Sequence, residues 1–220
     1  MFVKAEREGP TCPICSAETN GVVFSETPSY TQPTGHRALA HRREAPMTQL
    51  FMTHPGPLDL VTPVPLSDGI TLRSATKADE SAIAETLAES FAEAWDIARV
   101  RAELTEATDV PVTWVAEDAQ GILGVASERV MPDTYPGAGY VHYVGVLDRA
   151  RGRRIGAALT ARCVQGFFER GLTRTVLETD DFRAPAVVTY LRLGFVPTYR
   201  SELEQHAWSA LFPTLFGTKH

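Results

Sequence analysis

The stretch from Val144 to Leu159 constrains this chain more than any other. A β-type run over residues 140–147 stops at Asp148 and crosses an Arg/Gly turn. It then enters an amphipathic helix with Ile155, Leu159, Cys163 and Phe167 at steps of four. The first N–H groups of a helix are unpaired, and its aligned peptide dipoles place about half a positive charge there. Gly152 and Gly156 allow close approach to that backbone, and Arg149, Arg151, Arg153 and Arg154 surround it with cations. Such a turn is suited to cradle a pyrophosphate.

Two familiar phosphate loops are excluded. No Gly-Lys-Ser/Thr follows, so this is not a P-loop. The Gly-x-Gly-x-x-Gly dinucleotide fingerprint is absent, and the preceding strand does not open a βαβ unit.

The rest of the chain supplies the frame. Residues 1–66 are rich in Pro, Thr, Ser and His with weak periodicity, and Pro55, Pro57, Pro63 and Pro65 punctuate their end. Beyond them, residues 70–74 alternate as a strand, and a capping-box-like Thr76–Asp79 opens a helix marked by Ile83, Leu87 and Phe91. A short helix is expected over about 96–107. Strands over 112–117 and 122–131 form a hairpin, and the strand at 140–147 and the long helix follow it. Gly171 stops that helix, and residues 173–179 form the next strand. Pro185 then starts a helix with Val188 and Leu191 facing inward, 195–199 is a last strand, and a final helical piece is limited by Pro213.

Two motifs in this frame resemble the GNAT family of N-acetyltransferases. Arg151 to Gly156 resembles its coenzyme A loop, Arg/Gln-x-x-Gly-x-Gly/Ala, with Arg154 where the family has its first glycine. A left-handed backbone there would cost a non-glycine residue about 1–2 kcal/mol. Residues 183–195 resemble a second signature, matched at Ala186, Tyr190, Gly194 and Phe195, with Arg183 replacing Asn and Thr189 replacing Leu. The resemblance covers about residues 69–200. It implies an α/β fold, a mixed α+β sheet of the acyl-CoA N-acyltransferase type. The expected division is a low-structure extension, 1–66, before an acetyltransferase domain, 67–220.

The resemblance also implies acetyl-CoA as co-substrate, held by Arg151, Gly152, Arg153, Arg154, Gly156 and Ala157. Backbone groups of Val144 and Val146 would bind its pantetheine arm, where the strand splays from its parallel neighbour. Tyr190 would be the general acid at the sulfur. A leaving thiolate has a pKa near that of cysteine, about 8.5, and a phenol of about 10 can donate to it. The alternative is a tyrosine packed on a helix face.

The acceptor is read as a primary amine on a small molecule or peptide. Taking lysine's pKa of about 10.4 as a guide, on the order of one amine in 2,500 is neutral at pH 7, so a base must collect a proton. On a period of two, Tyr140, His142, Val144 and Val146 share one face. His142, which ordinarily titrates near neutrality, sits where a histidine lies in the family's arylalkylamine acetyltransferases. Glu128 acting through water is its rival. Glu178, Asp180 and Asp181 read as a solvated strand end, the alternative being a group that attracts a cationic acceptor.

Cys12, Cys15, His36 and His41 suit a two-Cys, two-His zinc site, against an incidental Cys-x-x-Cys in a tail, and no metal residue is assigned. The other reading is therefore a non-catalytic acyl-CoA-binding interaction protein with an N-terminal zinc segment. A formal charge of −6 argues against nucleic acid, no run of 18 apolar residues suggests a membrane span, and the opening residues lack the apolar core of a signal peptide. The cytoplasm is the expected location, and a homodimer stays open. Cys163 reads as a core residue.

Overall fold

The computed structural model describes residues 48–217. They build one seven-stranded mixed sheet flanked by helices on both faces. The strands are β1 (Gln49–His54), β2 (Thr71–Ser74), β3 (Val112–Asp118), β4 (Gly121–Arg129), β5 (Ala138–Val146), β6 (Arg174–Asp180) and β7 (Val196–Pro197). The helices are α1 (Glu80–Phe91), α2 (Ile97–Val100), α3 (Ile155–Glu169), α4 (Ala184–Arg192) and α5 (Glu202–Phe216). The sheet order is β2-β3-β4-β5-β6-β1-β7. Among the described strands only β5 and β6 pair in parallel, and α3 is the crossover that such a pair requires.

The two faces of the sheet carry separate cores, and an extra residue at Leu123 in the β3–β4 pairing puts it on the face opposite Val125. Val115 and Val125 turn to one face, where Ile83 and Leu87 of α1, Trp95 and Val100 pack on them. Leu123, Val141 and Leu177 turn to the other, under α3, α4 and α5. All four α3 residues spaced by four are at most 1 % exposed, and each such side chain contributes about 1.5–3 kcal/mol by leaving water. The seating of α3 needs Gly139, because a Cβ there would lie 2.2 Å from the Phe167 ring. Cys163 is fully buried in this layer, which pushes its thiol well above its ordinary pKa. It is a packing residue.

Several elements differ from the sequence expectation. The sheet reaches back to Gln49, ahead of the expected boundary at residue 67. β1 lies between β6 and β7, antiparallel to both. Leu50 and Met52 enter the core of one face and Phe51 that of the other, so the strand is buried on both sides and shows no polar alternation. Leu58 and Val61 in the following segment are also core, and Gln165 of α3 donates to the Val61 carbonyl at 3.1 Å. Helix α4 is turned slightly from expectation: Val187 and Tyr190 are its buried residues and Leu191 packs against the same core, whereas Val188 does not. Helix α5 continues through Pro213 to Phe216, with Trp208 and Leu211 anchoring it in the core. The expected helix over 96–107 is α2 followed by a wider π-type turn, Arg101–Thr105.

Cys12, Cys15, His36 and His41 lie outside the described residues. Among the described residues no helix is long and apolar enough to cross a membrane, and no cluster of metal-ligating side chains occurs.

Candidate active site

Strands β5 and β6 meet only at Ala138–Arg174, Gly139–Thr175 and Tyr140–Val176, and beyond Tyr140 their pairing ends. A bulge in β5 marks the opening. Ser127 of β4 faces His142 and Val125 faces Gly145, so Ala126 alone opposes Tyr143 and Val144. Tyr143 takes φ +48°, in the left-handed region. Past the bulge, the Leu147 N–H returns to the Leu123 carbonyl of β4 at 2.9 Å. Alternation then directs the backbone groups of Val144 and Val146 away from β4, into the opening.

The bulge also breaks the expected common face of Tyr140, His142, Val144 and Val146. Val144 and Val146 turn toward α3, where a Cβ on Gly156 would stand 3.6 Å from Val146 Cγ2. His142 and Tyr143 turn the other way. Their rings are 4.0 Å apart, and Tyr143 packs edge-on against Trp95 and Phe91 on the α1 side. One extra residue switches the parity of every side chain beyond it.

At the head of the opening, a single 3₁₀ turn (Asp148–Ala150) leads through Gly152, φ +78°, to Arg154, φ +63°, which caps α3. The glycine position of the family loop is thus left-handed here, and Arg154 bears the associated cost of about 1–2 kcal/mol. Helix α3 begins with no side-chain cap and no acidic residue in its first turn, which includes Gly156 and Ala157. Arg151 pairs with Asp148 at 2.6 Å, both two-thirds exposed, a contact worth under about 1 kcal/mol and easily redirected. Arg153 stands 3.5 Å from Asp118. The added methyl at Gly156 would meet only ordinary contacts, so packing does not dictate that glycine. Open N–H groups, a positive helix end and exposed guanidinium groups are the donor set a pyrophosphate requires.

Tyr190 lies on α4, on the same side of the sheet as α3. Its ring rests 5.9 Å from that of Phe195, it is 7 % exposed, and its hydroxyl has no hydrogen-bond partner among the described residues. Burial pushes its pKa up to about 12.

His142 is buried on the opposite side of the sheet from Tyr190. Arg129 Nη1 stands 3.2 Å from its Nε2, and Asp109 holds Arg129 at 2.6 Å. A guanidinium can only donate, so Nε2 accepts and the ring proton resides on Nδ1. Burial, with the neighbouring Arg129 charge, pulls its pKa down to about 4. Beside it, Glu103 in the π-type turn accepts from the Tyr143 hydroxyl and from Arg99.

Glu128 is sealed beneath α3. It accepts from Trp114 Nε1 at 2.7 Å and Arg170 Nε at 3.1 Å, and a Cβ on Gly166 would fall 1.8 Å from its Oε1. This geometry engages both of its carboxylate oxygens. Glu178, Asp180 and Asp181 are not merely solvated. Glu178 accepts from Arg200 at 2.6 Å and from Tyr140 at 3.2 Å, Asp180 from Arg183 at 2.8 Å, and Asp181 from the Thr48 N–H at 3.3 Å. Tyr135 stacks on Tyr140 at 5.6 Å, making an aromatic wall beside Glu178. Sequence reasoning missed Arg129, Tyr143 and Glu103. None carries a local signal, since their roles arise from a bulge and from contacts across the sheet.

Comparison with known proteins agrees with this geometry. Residues 81–195 match the model of the Acetyltransferase (GNAT) family. A mycothiol acetyltransferase from Thermomonospora curvata is 31 % identical over 139 residues, covering 60 % of this chain and 46 % of that protein. The chain's match thus spans less than half the length of this curated relative. Among solved structures, a GCN5-related N-acetyltransferase from Sphaerobacter thermophilus superposes with TM-score 0.55 at 24 % identity, over 68 % of this chain and 48 % of that one. The putative acetyltransferase yncA from Salmonella typhimurium, solved with its cofactor acetyl-CoA, gives 0.51 at 22 % identity, over 60 % and 82 %. With more than half of its residues in the family match and the family's fold around a splayed strand pair, the chain belongs to the GNAT acetyltransferase family.

Proposed function

We propose that this protein is an acetyl-CoA-dependent N-acetyltransferase that moves the acetyl group to a primary amine by direct transfer, with no covalent enzyme intermediate. The observation that carries this reading is the opening between β5 and β6. It has an uncapped, arginine-flanked helix start at its head and a buried phenol on the adjoining helix. Acetyl-CoA supplies an activated acyl group as a thioester. The N–H groups of Gly156 and Ala157, with Arg151, Gly152, Arg153 and Arg154, would bind its pyrophosphate. The outward backbone groups of Val144 and Val146 would align the pantetheine amides.

Tyr190 acts by donating a hydrogen bond to the sulfur. With its pKa at about 12, full transfer to a thiolate of about 8.5 is uphill by several pK units, whereas donation is available throughout the neutral range. The amine's proton passes to water. His142 has its accepting nitrogen engaged by Arg129 and acts as a positioning group for the bulge. The relatives named mycothiol acetyltransferases favour a small, mycothiol-related acceptor.

A thiol-release assay over a panel of amines, including mycothiol-related ones, tests the reading with wild type and Tyr190→Phe. Turnover with at least one amine, weakened in the variant, is expected. Tight coenzyme binding without turnover of any amine would instead favour a non-catalytic acyl-CoA-binding protein. The blocked lone pair of His142 is the feature that keeps this second reading in play.

A further inference from the structure

Helix α1 ends over the splayed half of β5. A Cβ on Gly145 would stand 3.1 Å from the Ser90 side chain, and the Asp148 N–H donates to Glu89 at 2.8 Å. Both contacts lie beyond Tyr140, the last residue of β5 that pairs with β6. The next residue of α1, Phe91, packs edge-on against Tyr143 with ring centres 5.9 Å apart, so the bulge supports it. Ala92, φ +54°, then stops the helix.

From the other side of the opening, Arg183 reaches this helix end. It lies between β6 and α4, and Asp180 at the end of β6 accepts from its Nε at 2.8 Å. Its guanidinium carbon stands 4.9 Å from the centre of the Phe91 ring and 5.3 Å from that of Phe182. A guanidinium is attracted to aromatic faces and is weakly hydrated, which favours such a contact. The contact therefore joins the two strands where their backbones have parted. It does so on the α1 side of the sheet, where Phe91 packs on the core of that face, while α3 and Tyr190 stand on the other. Arg183 also departs from the family signature, which has Asn there.

We propose that Phe91 and Arg183 gate the acceptor's side of the opening: closed, they keep water from the thioester, and an arriving amine parts them. The assignment rests on the acetyltransferase reading, in which the start of α3 and Tyr190 hold coenzyme A, leaving the α1 side to the amine. A thioester open to water is wasted. Water adds to its carbonyl carbon, the C–S bond breaks, and acetate, the coenzyme thiol and a proton are released. Excluding water from such a site is a recognised use of a closing contact. A cation–aromatic pair suits a gate because it is weak where partly exposed, and the Arg183 side chain is 29 % exposed.

Thiol release from saturating acetyl-CoA, with no amine present, tests this without knowledge of the acceptor. Phe91→Leu and Arg183→Gln should each hydrolyse the thioester about fivefold faster than wild type, the weight of one such contact. Phe91→Tyr keeps the aromatic face and should match wild type. Phe91 and Arg183 are both partly exposed, so the variants should fold, and an unchanged circular dichroism spectrum checks it. Rates equal to wild type in Phe91→Leu and Arg183→Gln overturn the gate alone, and so does a Phe91→Tyr variant as fast as Phe91→Leu. Absence of heat when coenzyme A is titrated into wild type overturns the acetyltransferase reading and the gate together.

Discussion

Arg129 occupies the accepting nitrogen of His142, with Nη1 3.2 Å from Nε2 and Asp109 fixing the guanidinium from behind. Burial and, after it, the charge of Arg129 hold the imidazole neutral, and the contact determines which of its nitrogens carries the proton. It makes the histidine a poor collector of protons at neutral pH, although the residue occupies the position where a base is expected.

That neutrality has a cost in acid. His142 titrates near 6.5 in the unfolded chain and near 4 in the folded one. The unfolded state therefore binds more protons between these values. Stability should be full above pH 6.5 and fall as pH drops toward 4, by roughly 3 kcal/mol in all. Urea unfolding at pH 7, 5.5 and 4 measures it. In His142→Gln this component should vanish, and a variant with the same pH slope as wild type would mean that the histidine is not the group responsible.

The same contact bears on the reaction. With an amine that turns over, kcat/KM should rise through pH 6.5 without a bend and level only toward the amine's own pKa. A limb near 6.5 that disappears in His142→Gln would restore the imidazole as the base.

Tyr190 makes no hydrogen bond within the described residues, so Tyr190→Phe should leave stability within about 0.5 kcal/mol of wild type. Loss of the donor at the sulfur should lower kcat by about 10- to 100-fold, with little change in the KM for acetyl-CoA. A thermal melt beside steady-state kinetics separates the two quantities. A large stability loss would show the hydroxyl to be structural.

Arg154 sets two properties against each other. Its left-handed backbone favours glycine, so Arg154→Gly should stabilise the fold by up to about 1 kcal/mol. Removing the guanidinium should at the same time weaken coenzyme A binding by about tenfold. Unfolding curves and calorimetry should therefore move in opposite directions.

Glu128 is placed to hold α3 on the sheet, with both carboxylate oxygens engaged. Gly166→Ala should destabilise by about 1–3 kcal/mol or more, since its methyl would overlap the carboxylate. Glu128→Gln weakens the contacts to Arg170 and Trp114 and should cost about 1–3 kcal/mol. It should leave the pH–rate profile in place, and a shifted profile would return Glu128 to the reaction.

Much of the frame was legible along the chain. The periodicity of α3, the hairpin of β3 and β4, the stop at Gly171 and the order of elements from β2 to α4 are local properties. Turn chemistry and side-chain spacing report such properties directly. β1 escaped because a six-residue strand buried on both faces has no alternation, and Pro55 follows it at once. On α4, Leu191 packs on the core as expected, but Val187 takes the place of Val188 because Tyr190 turns in to meet Phe195 and carries Val187 with it.

By itself, the sequence determined the chemistry at the head of α3: four arginines, two glycines and a helix whose first turn holds no acid. Those are contiguous residues, and a helix end exposes its N–H groups whatever surrounds it. Only the tertiary structure decided which side chains face one another across the sheet. The single extra residue at Tyr143 reverses the parity of β5, sending His142 toward Arg129 and turning Val144 and Val146 to α3. A bulge depends on the pairing with the neighbouring strand, and no repeat within one strand can announce it.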